Sequence, residues 1–150
     1  MASACKPEPA VVAATADAGS RARIAAVEYA CYRVPLPEPV RSSTIAISHR
    51  ELLVVRVTST CGRCGVGWGA TAGVGITAAA AMLGDYMVPG LVGEEVWAAE
   101  RLWQRLWQRA HFSDAGGIST LALGPLDIAL WDLRARIVGV HGRFSVGVQG

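Results

Sequence analysis

The chain has 150 residues, 52% of them apolar and 17% charged, with a formal net charge of +2. That length suffices for one domain with a core of its own, and no stretch approaches the ~20 consecutive apolar residues of a membrane span. The arginines are dispersed rather than clustered, which argues against a nucleic-acid partner, and the only lysine, Lys6, lies in an N-terminal tail, so no lysine base or Schiff-base nucleophile is available beyond it.

Residues 1 to 22 are rich in Ala, Pro and Ser, with Lys6, Glu8 and Asp17 breaking every apolar run. The tail therefore lacks a signal-peptide core and is expected to be disordered. Without a secretory signal, the four cysteines are expected to be reduced thiols in a cytoplasmic protein.

From Arg23 to Leu36, Val27, Tyr29, Cys31 and Arg33 alternate with Glu28, Ala30, Tyr32 and Val34, the period of a strand that Pro35 and Pro37 bring to a stop. Pro37 to His49 is polar and aperiodic and reads as a loop. Glu51 to Thr58 is a second strand, apolar on most of both sides. Ser59 to Gly65 is a turn, and Val66 to Gly69 a short third strand, giving a hairpin.

Three helices follow. Ala72 to Val88 carries Ile76, Ala79, Ala80, Leu83 and Met87 on one face, and Pro89 and Gly90 end it. In Glu94 to Ala110 the acidic pair opens the helix, and Val96, Ala99, Trp103, Leu106 and Ala110 form the stripe expected to be buried. After a turn at Ser113 to Gly117, residues 118 to 136 place Leu126, Ala129, Leu130, Leu133 and Ile137 on one face, with Arg134 and Arg136 near the C-terminal end. Pro125 within this stretch should kink the helix or mark its start. Three strands followed by three helices define an α+β fold, a three-stranded antiparallel sheet followed by a three-helix bundle, with no βαβ unit and no internal repeat.

Several local patterns carry little chemistry. Cys61-Gly62-Arg63-Cys64 is half a zinc site, without the second ligand pair that structural zinc requires. It lies in a turn rather than at the start of a helix, where a redox motif belongs. His49, His111 and His141 stand beside different elements, and no spacing joins them to a carboxylate pair. Asp127 and Asp132 point about 140° apart on a helix and cannot share one ion; capping or pairing with arginine is the better reading. Gly67-x-Gly69 and Gly73-x-Gly75 lack the βαβ context of a nucleotide site. Trp97, Trp103 and Trp107 read as packing residues.

One stretch is more specific. Leu126-Asp127-Ile128-Ala129-Leu130-Trp131-Asp132-Leu133 resembles the last cap-domain helix of the enolase superfamily, in the branch of mandelate racemases, muconate-lactonising enzymes and sugar-acid dehydratases. Tyr32-Arg33-Val34-Pro35-Leu36, Gly65-Val66-Gly67-Trp68-Gly69 and Val92-Gly93-Glu94-Glu95 match the same domain in order, so the resemblance covers roughly residues 23 to 139. Ala110 through Leu123 is most similar to the dehydratase side.

The resemblance implies an enolase N-terminal domain-like fold and a parent enzyme that removes a proton next to a carboxylate of a small hydroxy-acid or acid sugar. Bound Mg²⁺ would stabilise the enediolate. It also implies that metal ligands and bases lie on a following barrel, so this chain carries no catalytic residue and no metal ligand, and by itself is expected to be inactive. What the cap contributes is two loops that close over substrate, here Pro37 to His49 and Trp68 to Gly75. Arg41 and Ser43 on the first, and Trp68 and Thr71 on the second, are the candidate site residues. The plain alternative is a solvated loop arginine and a packed tryptophan.

From Val140 to Gly150 the family pattern stops, and a shifted reading frame or truncation near residue 139 is expected. The resemblance allows a homo-oligomeric parent. The competing reading is a free-standing binding module that uses the face a barrel would have covered.

Overall fold

The computed structural model describes residues 22–41, 43–111 and 116–139. The tail expected at 1 to 22 falls outside these residues apart from Ala22, as does the segment from Val140 to Gly150. Strands β1 (Ile24–Arg41), β2 (Ala46–Ser59) and β3 (Cys64–Thr71) form one antiparallel sheet in the order β1-β2-β3. The helices are α1 (Ile76–Ala81), α2 (Ala99–His111) and α3 (Ile118–Ile137). The α+β expectation holds.

Alternation places Val27, Tyr29 and Cys31 opposite Val57, Val55 and Leu53, and these in turn opposite Gly65, Gly67 and Gly69. This is the face the helices cover: Leu53, Val55 and Val57 are fully buried, together with Leu83, Met87, Leu91, Leu102, Leu106, Leu126 and Leu133. The three glycines of β3 have a steric purpose. A Cβ on Gly67 would lie 2.0 Å from the Pro125 carbonyl oxygen, and one on Gly65 2.2 Å from that of Ala129. The period-two glycines are thus a groove in which the α3 backbone rests directly on the sheet.

Pro125 belongs to the same contact. The α3 helix runs from Ile118 to Ile137 with the proline inside it, so it does not start at Pro125. Proline forgoes its bond to the Leu121 carbonyl, and its buried ring packs against Gly69, where a Cβ would meet Pro125 Cγ at 2.8 Å.

Several boundaries differ from expectation; the third strand, expected from Val66 to Gly69, runs from Cys64 to Thr71, because its pairing with β2 continues as far as Glu51 opposite Thr71. The polar stretch from Pro37 to His49 is mostly a continuation of the β1-β2 ribbon: the ladder is irregular between Pro35 and Val40, then resumes as Val40 opposite Ile47 and Arg41 opposite Ala46. The irregularity leaves Pro37 and Pro39, which have no N–H to give, out of the pairing.

The first helix starts later than expected, because Gly73 and Gly75 both have φ of +93°. It passes through a π-helical turn at Met82–Met87 and a 3₁₀ turn at Val88–Gly90, so Pro89 lies within the last turn instead of ending the helix. Its buried face, Ile76, Ala79, Ala80, Leu83 and Met87, is the one its sequence predicts.

The second helix begins at Ala99, after a 3₁₀ turn at Val96–Ala98. The backbone before that turn is used by β1: Ile24 N–H donates to the Glu94 carbonyl and Val96 N–H to that of Ala22. Leu102, not Trp103, fills the buried stripe; Trp103 is partly exposed and stacks on Trp107 with centroids 5.5 Å apart.

Candidate functional site

The apolar interior of the sheet ends at the row of Cys31, Leu53 and Gly69. The next row across the strands is polar: Arg33, Glu51 and Thr71, with Glu51 paired to both neighbours. Glu51 is 5% exposed. Such a carboxylate survives burial only when paired and hydrogen-bonded, and Arg33 Nη2 donates to its Oε1 at 2.8 Å. The Ile76 N–H, free at the start of α1, points to Oε2 at 3.5 Å. The Arg33 hydrogen bond, aided by that N–H and by the nearby charges, outweighs burial and holds Glu51 below the usual carboxylate range. One side chain thus joins β1, β2 and α1.

His49 lies one alternation further along β2. Its Nε2 is 3.9 Å from Glu51 Oε1, is buried and has no hydrogen-bond partner among the described residues, while Ser48 Oγ stands 3.3 Å from Nδ1. A Cβ on Gly73 would meet His49 Nε2 at 3.3 Å and the His49 carbonyl at 3.4 Å, so the glycine permits the β3-α1 segment to lie against the ring. Thr71 Oγ1 is likewise buried without a hydrogen-bond partner. The two segments identified from the sequence as loops therefore meet at His49 and Gly73, beside Glu51.

Of the candidate residues, Thr71 is in this cluster, as the buried last residue of β3 opposite Glu51. Arg41 ends β1 and is exposed, and Ser43 is exposed at the bend of the ribbon. Trp68 lies elsewhere: strand alternation turns it away from the glycine face, opposite Val54, where it is 61% exposed. The residues missed from sequence are Arg33, Glu51 and His49. A signal was present for Glu51, which occupies the inward register of Leu53, Val55 and Val57.

Elsewhere, Asp132 accepts the exposed Val66 N–H and Arg136 Nε, each at 2.8 Å, which satisfies an edge-strand donor and pairs the carboxylate within α3. Arg134 donates from Nε to the Val96 carbonyl at 2.9 Å and lies 4.8 Å over the Trp131 ring. Burial raises the pKa of Asp127, opposed by the charge of Arg134. Cys61 and Cys64 flank Gly62 and Arg63 in the turn between β2 and β3; Gly62 has a φ of +79° and its N–H donates to the Ser59 carbonyl. The Ser59 hydroxyl donates to the Arg63 carbonyl at 2.9 Å, which leaves Cys61, 3.1 Å away, to donate its own proton to Ser59 Oγ.

No group of three or more His, Cys, Asp or Glu residues that could hold a metal occurs among the described residues. Glu51 is neutralised by Arg33, and Asp132 is committed to Arg136 and Val66. These donors do not fit a magnesium ion. No helix among the described residues is long and apolar enough to cross a membrane.

Among the described residues the domain is a three-stranded antiparallel sheet with three helices on one face and two segments that meet at one end of the sheet. Residues 24–141 match the model of the mandelate racemase / muconate lactonizing enzyme N-terminal domain, and the chain belongs to that family, within the enolase superfamily. It is 38% identical over 104 residues to a 3,6-anhydro-alpha-L-galactonate cycloisomerase of Streptomyces coelicolor, covering 69% of this chain and 29% of that protein. It is 32% identical over 91 residues to a D-mannonate dehydratase of a Caulobacter species, covering 61% and 22%.

Among solved structures, a Streptomyces coelicolor racemase with bound magnesium superposes with a TM-score of 0.74 at 35% identity, covering 77% of this chain and 32% of that one. An L-talarate dehydratase from a Polaromonas species, complexed with Mg and L-glucarate, superposes with a TM-score of 0.73 at 26% identity, covering 79% and 33%. The chain spans less than a third of the length of the curated relatives it matches.

Proposed function

We propose that this chain is the substrate-capping domain of an acid-sugar dehydratase, cycloisomerase or racemase-like enzyme, acting with a barrel domain that follows it in the parent protein. The ribbon tip with Arg41 and Ser43 and the β3-α1 segment with Thr71 form a lid over the barrel mouth. Arg41 meets a distal carboxylate or hydroxyl of the substrate, and Trp68 borders the lid from the outer sheet face. The lid excludes water and selects the far end of the substrate, while proton abstraction belongs to the barrel. By itself the chain is inactive. In the parent, the enzyme works in the cytoplasm on a small hydroxy-acid or acid sugar with Mg²⁺ held by barrel residues.

The observation that carries this reading is the approach of Gly73 to His49 at one end of the sheet, where the two segments meet, in a chain that belongs to a family of N-terminal domains. Translating the coding sequence beyond the codon for Gly139 in all three frames is the first test; barrel-like sequence with spaced carboxylates and lysines is expected, and its absence from every frame overturns the reading. With the barrel restored, loss of water from a panel of aldonic and aldaric acids should be detectable, and Arg41→Ala should raise KM more than it lowers kcat.

A second reading, a free-standing binding module, is supported by the exposed apolar residues Ile128 and Trp131 on α3. It predicts no barrel in any frame and a 150-residue chain that captures a partner.

A further inference from the structure

We propose that His49 is a proton-operated catch between the two segments: when its imidazole is charged, Nε2 closes on Glu51 and draws the β1-β2 ribbon and the Gly73 backbone together. The geometry is that of a contact nearly made. Nε2 stands 3.9 Å from Glu51 Oε1, beyond hydrogen-bond reach, and is buried with no other partner among the described residues. Its ring is fixed on the other side, where Nδ1 lies 3.3 Å from Ser48 Oγ. In either neutral tautomer the ring offers the carboxylate at most a dipole. The second proton makes both nitrogens donors and gives the carboxylate a full charge to pair with.

Glu51 is a suitable receiver because Arg33 keeps it ionised. The charged groups of the cluster are Glu51 on the same strand and Arg33 on β1; β3 and the start of α1 present Thr71, Gly73 and the Ile76 N–H, none of which titrates there. Movement of the ring reaches the second segment directly, since Gly73 packs against both the ring and the His49 carbonyl. That the two segments are lids rests on the proposed function; the catch itself does not, and its test needs neither barrel nor substrate.

The test is hydrogen exchange of the full chain at about pH 5.5 and pH 8, the interval in which imidazoles titrate, corrected for intrinsic exchange rates. Amides of residues 46–49 and 73–76 should be about fivefold better protected in acid, the size of one partly exposed ion pair, with core amides of β2 and α3 unchanged. His49→Gln should remove the difference. Glu51→Gln, which leaves the histidine in place, should remove it as well, and circular dichroism checks that each variant is folded. No acid-linked protection in the wild-type chain, or the same protection in folded His49→Gln, overturns the proposal.

Discussion

Glu51 does more for this domain than its position in a strand suggests. It is buried, it accepts from Arg33 at 2.8 Å, and it faces the first N–H of α1. Glu51→Gln keeps the shape but removes the charge, and should destabilise the chain by about 1.5–3 kcal/mol, the range for a hydrogen bond to a charged group. The pH dependence follows from the sign of the shift. Arg33 lowers the folded-state pKa of Glu51, so the stabilisation is full above the ordinary carboxylate range and is lost as pH falls through the depressed folded value. Urea titrations should therefore show wild type well above Glu51→Gln at pH 7, with the gap closing in strong acid. A constant gap would show that the carboxylate charge is not what matters. Glu51 is legible in the sequence as a carboxylate in an inward register. Thr71 is not legible as the end of a strand, because its pairing with Glu51 carries β3 two residues past Gly69, where the strand pattern stops. His49 is not legible either, because what makes it notable is contact with Gly73, on another element.

At the scale of elements, periodicity identified the strands and the buried faces of α1 and α3 because it reports which side of a chain meets the core. It misjudged ends, where hydrogen bonds to distant backbone decide. The Pro37 to His49 stretch looks like a loop, yet the ladder resumes at Val40 and Ile47 once the prolines have been passed over. Glu94 looks like the first turn of a helix, yet its carbonyl is taken by Ile24. The glycines of β3 are legible as a pattern but not as a groove, since the helix they receive begins about fifty residues later. Gly67→Ala sets that reading against measurement. Its Cβ would stand 2.0 Å from the Pro125 carbonyl, with backbone on both sides, so a loss of about 3 kcal/mol, at the upper end for overpacking, is expected in denaturant unfolding.

The whole molecule is asymmetric in a way that bears on its proposed role. The α3 helix buries Leu126, Ala129, Leu130 and Leu133 on the sheet, yet Ile128, Trp131 and Val138 are each more than half exposed on it. A helix that is apolar on several sides belongs inside a larger body. The family match supplies a reason, since relatives are more than three times as long as the stretch they share with this chain. The isolated 150 residues should therefore self-associate. Light scattering across a concentration series should give an apparent mass rising above the monomer, and Ile128→Lys should return it toward the monomer. That position is suited to the test: Ile128 is 51% exposed, so the substitution removes apolar surface without opening the core. The melting temperature should be nearly unchanged, which separates loss of association from loss of fold. A wild-type chain that stays monomeric at every concentration would mean that this face needs no cover, and would remove the physical argument for a domain that normally seats on it.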